Sequence, residues 1–171
     1  CLTAPRFQTL LPTDTMTLSD GTITLRAPEP SDIDRLYIWE NDMSLWPFGS
    51  AATPLSRHML SEYIAAYDGD IFSSGQLRFV IELCGKGGAV GTIDITHFDP
   101  RDRHARIGVF VEPASRRTCI ARRAIALVMA YARDVLGMHM LMALVADDNE
   151  PSRRLFATSG FNSCGRVRPY L

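Results

Sequence analysis

The stretch Thr22–Ala27 alternates apolar and polar side chains, the two-residue period of a half-buried strand. Pro28 and Pro30 break it. Ser31 then reads as the cap of a helix reaching Glu40, with Asp32 and Asp34 in its first turn and Ile33, Leu36 and Tyr37 on one face. The loop Asn41–Thr53 carries Leu45, Trp46 and Phe48, and apolar loop residues either plug a core or line a pocket. A second helix is predicted over about Leu55–Tyr67, closed by Asp68-Gly69-Asp70. Leu77–Cys84 and Ala89–His97 read as strands joined through Gly85-Lys86-Gly87-Gly88. Phe98–Arg103 is a further turn and Arg106–Glu112 the next strand. A long apolar helix over about 120–136 ends at Gly137. His139–Val145 is almost wholly apolar, the pattern of a central strand covered on both faces. Asn149-Glu150-Pro151 opens a helix over about 150–158, Gly160 stops it, and Phe161–Arg168 is predicted as a last strand. The order β-α-α-β-β-β-α-β-α-β predicts an α/β (α+β) fold, a mixed sheet with helices on its faces.

Composition narrows this further. With 171 residues, 46% hydrophobic and 22% charged, the chain is expected to be one globular domain over 16–171. Residues 1–15 lack periodicity and are expected to be a disordered extension or cloning remnant. No apolar run reaches spanning length and no secretion signal is evident, so a cytoplasmic protein with no membrane partner is expected. Cys1, Cys84, Cys119 and Cys164 form no CxxC pair, and His58, His97, His104 and His139 no HxxxH or HxH pair. Reduced thiols and no metal site are therefore expected. The net charge of −1 conceals −7 over residues 28–100 and +6 over 101–171. Either solvated charge is distributed by chance, or an anion binds the C-terminal half and a cation the N-terminal half. The acidic half speaks against nucleic acid as a partner.

The sharpest local anomaly is the junction of the Arg106–Glu112 strand and the long helix. Arg116 and Arg117 stand in the turn, and Arg122 and Arg123 in the first helical turn. Cations are disfavoured at a helix N-terminus, whose unpaired N–H groups make it positive. Taken alone, four arginines there are a solvated basic start. They are also what a bound anion would need, held by backbone amides and guanidinium forks together.

The stretches GTITLRAPEPSDIDRLYIWEND, AVGTIDITHFDP, ARIGVFVEPASRRTCIARRAIALVMAYA and DDNEPSRRLFATSGF resemble, in order, a GNAT superfamily N-acetyltransferase. The pattern is similar to the branch holding ribosomal-protein N-terminal and spermidine N-acetyltransferases. The resemblance implies a mostly antiparallel twisted sheet with helices on both faces, acetyl-CoA as co-substrate and a primary amine as acceptor. Arg116-Arg117-Thr118-Cys119-Ile120-Ala121 falls on the family's cofactor turn, with Cys119 in place of a glycine. The match implies that backbone amides of Arg117–Ala121 face the pyrophosphate and that Phe110 and Val111, on a splayed strand, pair with pantetheine. It also implies that Asn149 meets the cofactor arm and that Phe156 and Ser152 line the thioester. Relatives continue with a further hairpin strand where this sequence reaches Tyr170-Leu171. The last hairpin is thus expected to be incomplete and its open edge a place for a second copy to pair.

Acetyl transfer needs a neutral amine and stabilisation of a tetrahedral oxyanion. Deprotonating an alkyl amine of pKa about 10.4 at pH 7 costs roughly 4–5 kcal/mol, an α-amine only about 1. Many relatives carry a glutamate where this chain has Arg106 and a tyrosine where it has Phe156. That leaves Ser152 as acid for the departing thiolate, or simply a first-turn helix residue. Asp94 remains as a water-relayed proton acceptor, or a structural hydrogen-bond acceptor. Glu40, Asp42 and Glu62 form a possible acidic entrance for a cationic acceptor, with Trp46 and Phe48 over it; the alternatives are surface solvation and core packing. The absence of both usual proton-transfer residues also admits a non-catalytic CoA-binding regulatory module.

Overall fold

Six strands in the order β1-β2-β3-β4-β5-β6 make one curled sheet in the computed structural model, which describes residues 18–46, 53–85 and 87–166. The expected extension 1–15, Phe48 and the terminal Tyr170-Leu171 lie outside the described residues. β1 (Leu18–Ser19) and β2 (Ile23–Arg26) form a tight hairpin, whose first strand is too short to show any period. Asp20 turns it by accepting the N–H groups of Thr22 and Ile23 through Oδ1, at 2.9 and 3.0 Å. β3 (Leu77–Leu83), β4 (Ala89–Asp99) and β5 (His104–Val111) continue the antiparallel ladder. β4 and β5 run further toward their shared hairpin than the apolar pattern suggests, because backbone pairing there does not need buried side chains. β6 (Met140–Met142) pairs parallel to β5.

The two sheet faces differ in chemistry. One carries Ile23, Leu25, Ile81, Ile93 and Ile95, each buried to within 1%. Helix α4 (Ile120–Asp134) lies on it, its buried stripe being Ile120, Ala124, Ile125, Val128 and Ala132, the i, i+4, i+8 rows of one helical face. Each fully buried aliphatic side chain is worth about 1.5–3 kcal/mol. Phe79 meets Tyr131 edge-on across this layer, with centroids 5.6 Å apart. Gly137, at φ 66°, ends the helix as expected, and Met138 N–H then bonds Ala132 O at 2.8 Å.

The other face is more polar and lies under α1 (Ile33–Glu40) and α2 (Arg57–Ala65), which pack on each other through Leu36, Leu60 and Ile64. Asp32, not Ser31, starts α1. Its carboxylate accepts the Glu29 N–H at 2.8 Å and a two-pronged contact from Arg26 at 2.7 and 2.9 Å. Arg26 also bonds Glu82 on β3. α2 is capped by Ser56, whose Oγ accepts from Met59 N–H, and is shorter than expected. A four-residue α3 (Ile71–Ser74) follows, capped by Asp70, with no periodic signal of its own. Tyr67 then closes the sheet where β2 stops: its hydroxyl donates to Arg78 O at 2.8 Å and accepts Arg78 N–H at 3.0 Å.

Two expectations fail at the C-terminal side. His139–Val145 is not a central strand: only Met140–Met142 pair, and β6 is the sheet edge among the described residues, with Met140 exposed. The run is apolar because its inner side meets α4 and α5 (Glu150–Thr158), not because two strands flank it. Residues 161–166 form no strand; Gly160 at φ 94° turns the chain and Phe161 folds back on Phe156.

Burial would raise the Asp32 carboxyl, but Arg26 and the Glu29 N–H outweigh it and hold the group below its ordinary value. A carboxyl depressed on folding stabilises above its unfolded pKa, about 3.9, and loses that contribution as pH falls through the lower folded value. Asp32→Asn is expected to cost about 2 kcal/mol at pH 7, since it removes the two-pronged one of the two counter-charges of Arg26 and leaves only Glu82, and the difference from wild type to shrink below pH 4. Urea unfolding across pH measures both.

Candidate active site

β5 and β6 stay together only for His104↔Met140, Ala105↔Leu141 and Arg106↔Met142, then part. Glu112 N–H donates to Val90 O at 2.9 Å, which sets the phase of the β4–β5 ladder. The backbone groups of Phe110 and Gly108 therefore turn to β4, and those of Val109 and Val111 turn into the opening. The Val111 carbonyl is taken by Arg116 Nε at 2.9 Å, so the opening presents the Val111 N–H and both groups of Val109. Phe110 contributes its ring instead, tilted on Trp39 of α1 at 5.3 Å. Gly91 permits this arrangement: a Cβ there would lie 2.2 Å from Phe110 O.

The turn after β5 is built around two left-handed residues, Arg117 at φ 63° and Cys119 at φ 62°. Thr118 Oγ1 donates to Ser115 O, and Ser115 Oγ to Glu112, which Arg35 also holds at 3.3 Å. No side chain caps α4, so the N–H groups of Ile120, Ala121 and Arg122 emerge unpaired beside those of the turn. Successive N–H groups in such a turn form an anion-binding hollow. The four arginines divide. Arg116 is spent on Val111, and Arg123 pairs with Asp20 at 2.6 Å. Arg117 and Arg122 are exposed, with no ion pair among the described residues. The turn thus has two available cations, and the left-handed Cys119 stands where glycine is the unstrained choice.

Across the opening, Asn149 caps α5: its Oδ1 accepts Ser152 N–H at 3.2 Å, leaving the side-chain NH2 without a partner among the described residues. Ser152 is half-buried in the first turn, and its hydroxyl makes no hydrogen bond among the described residues. Phe156, one turn on, is buried in the core and meets Phe161 edge-on at 5.2 Å.

The expected acidic entrance does not form. Asp94 receives Arg78 through both oxygens, at 2.8 and 2.9 Å, and Glu40 receives the same guanidinium at 2.7 Å. Burial would lower the Arg78 pKa, but the two carboxylates more than reverse it. Asp94 is therefore a structural ion-pair partner rather than a free proton acceptor, and Glu40 points inward. Neighbouring Tyr67 is pushed up to about 12, chiefly by burial. Asp42 accepts the N–H and hydroxyl of Ser44, which hold its carboxyl low, and Glu62 stands exposed beside His58. Trp46 is half-buried and donates to Glu40 O at 2.9 Å, closing the end of α1. Sequence reasoning missed Arg78, whose role depends on β3 and β4 being neighbours in this register; an arginine inside an apolar strand pattern was its only signal. Among the described residues, Asp99, Asp102 and His104 gather in the β4–β5 hairpin, where Asp99 Oδ1 already accepts two backbone N–H groups.

A family model described as the acetyltransferase (GNAT) domain matches residues 22–162. The chain is 33% identical over 95 residues to an uncharacterised N-acetyltransferase, YoaA, of Bacillus subtilis, a match covering 56% of this chain. It spans about half the length of that curated relative, 54%. In structure it is similar to a spermidine N-acetyltransferase of Vibrio cholerae solved with CoA and spermine, with TM-score 0.76, 22% identity, and 86% and 85% of the two chains covered. An acetyltransferase of Bacillus anthracis aligns with TM-score 0.73 and 17% identity over 88% and 86% of the chains.

A side chain held left-handed costs about 1–2 kcal/mol, so Cys119→Gly is expected to stabilise the protein by roughly 1 kcal/mol. Thermal unfolding of the two proteins reads this directly, as a raised midpoint in the variant.

Proposed function

The chain belongs to the GNAT acetyltransferase family, and from that premise we propose that it transfers an acetyl group from acetyl-CoA to a primary amine. The observation that carries the reading is the pairing of two open backbone surfaces: the uncapped N-terminus of α4 and the β5 edge at Val109 and Val111. The amides of Arg117–Ala121 fit the pyrophosphate, with the side chains of Arg117 and Arg122 as counter-charges. The edge groups of Val109 and Val111 suit the amides of a pantetheine arm, and the side-chain amide of Asn149, unpartnered among the described residues, is a further donor for it.

Acetyl-CoA supplies an activated thioester. The amine nitrogen attacks its carbonyl carbon, the carbon–sulfur bond breaks, and the nitrogen's proton is lost as the CoA thiol forms. The hydroxyl of Ser152 is the proposed proton donor to that sulfur. With Asp94 and Glu40 both bound by Arg78, neither is free to take the amine's proton, which favours acceptors whose amine is easily deprotonated near pH 7 and releases its proton to water. The same observation favours a second reading, a CoA-binding regulatory module, and thiol release with a panel of amines separates the two.

No helix among the described residues is long and apolar enough to cross a membrane. Cys84, Cys119 and Cys164 are exposed free thiols, in keeping with a reducing, cytoplasmic setting. The β6 edge, with Met140 and Leu144 exposed above an open groove of about 1290 Å³, supports pairing with a second copy.

Arg117→Ala is expected to weaken acetyl-CoA binding about tenfold in calorimetry while leaving S-acetylpantetheine, which lacks the phosphates, unchanged. Equal losses for both ligands would remove Arg117 from the phosphate site. Ser152→Ala is expected to lower kcat about hundredfold with KM little altered, measured by thiol release.

A further inference from the structure

Arg106 stands at the vertex where β5 and β6 part, in the last registered step, opposite Met142. On its other side it pairs with Thr96, which places it on the α1–α2 face together with Asp94 and Phe110. It is half-buried, and no ion pair or hydrogen bond satisfies its guanidinium among the described residues. A guanidinium without an ion-pair partner keeps its donors for an arriving anion.

The carboxylates nearby do not provide that anion. Asp94 lies one diagonal step away on β4, about 7–8 Å between backbones and within reach of a long side chain. Both of its oxygens are bound by Arg78, and Glu40 closes the same guanidinium from α1. At this end of the face two carboxylates meet two guanidiniums. Among the described residues Asp94 and Glu40 are both taken and neither is left to receive a polycation, and a polyamine would bring an ammonium toward Arg106.

We infer that the acceptor is a primary amine that carries its own carboxylate, an amino acid or a peptide, with Arg106 gripping that carboxylate as the amine enters the opening. The inference rests on the transferase reading above and names the acceptor class for the same site. A planar guanidinium fork matches a carboxylate through two parallel hydrogen bonds, which fixes orientation as well as affinity.

Thiol release from acetyl-CoA with matched acceptors tests it. One pair is an amino acid and its decarboxylated amine. The other is an amidated peptide with aspartate or asparagine at its second position, and spermidine is the polycation arm. The carboxylate member of at least one pair is expected to show roughly tenfold higher kcat/KM or more, with spermidine the poorest acceptor. Which pair responds tells a free amino acid from a peptide. Arg106→Gln is expected to bring that ratio to about one and Arg106→Lys to keep part of it, both variants being checked for an unchanged unfolding midpoint. Preference for spermidine or the decarboxylated amine, or a ratio unmoved in Arg106→Gln, overturns the inference while leaving the transferase reading intact. No thiol release with any acceptor, despite acetyl-CoA binding, overturns the transferase reading and this inference with it.

Discussion

A peptide N–H or C=O removed from water costs free energy until something bonds to it, and β5 loses its neighbour after Arg106. The surrounding structure answers that loss piece by piece. Arg116 turns back to take the Val111 carbonyl. Gly91 lets the β5 backbone approach β4 more closely than any side chain would allow. What stays unanswered at Val109 and Val111 continues directly into the unpaired N–H groups of α4. A ligand that threads the opening with amides and ends in phosphates meets both needs at once, and this physical continuity joins the strand edge to the arginine turn.

The polarity of charge along the chain takes a different meaning in three dimensions. The acidic half does not become an acidic surface at the opening, because Arg78 gathers Asp94 and Glu40 and Arg26 gathers Asp32 and Glu82. Each guanidinium sits on the α1–α2 face and satisfies two carboxylates from different elements. Such pairs add little net stability over apolar packing, but removing one member strands the others. Their effect here is on arrangement: they fix α1 against the sheet, while Arg106 on the same face has no ion pair among the described residues.

The sequence disclosed the elements that bury a periodic stripe. Helix α4 and the strands β2 to β5 were legible because side-chain burial repeats every 3.6 or every two residues. The short pieces β1 and α3 were not, since two- and four-residue elements carry no period. The 139–145 run was legible as apolar but not as an edge, because composition records burial and not the number of strand neighbours. Within the site, the turn between β5 and α4 was readable from local sequence, down to the glycine-type position at Cys119. The fate of Asp94 and Glu40 was not, for it depends on a register that brings residues 40, 78 and 94 to one point.

The segment between β2 and β3 is fastened at both ends by side chains rather than by strand pairing. Arg26 and Asp32 hold its beginning, and the single hydroxyl of Tyr67 stands in for a whole strand at its end. β2 can therefore be four residues long and still leave no frayed ladder beside β3. In evolutionary terms this makes α1 and α2 a cassette. Their sequences can be exchanged while the anchors at each end keep the sheet closed beside β3.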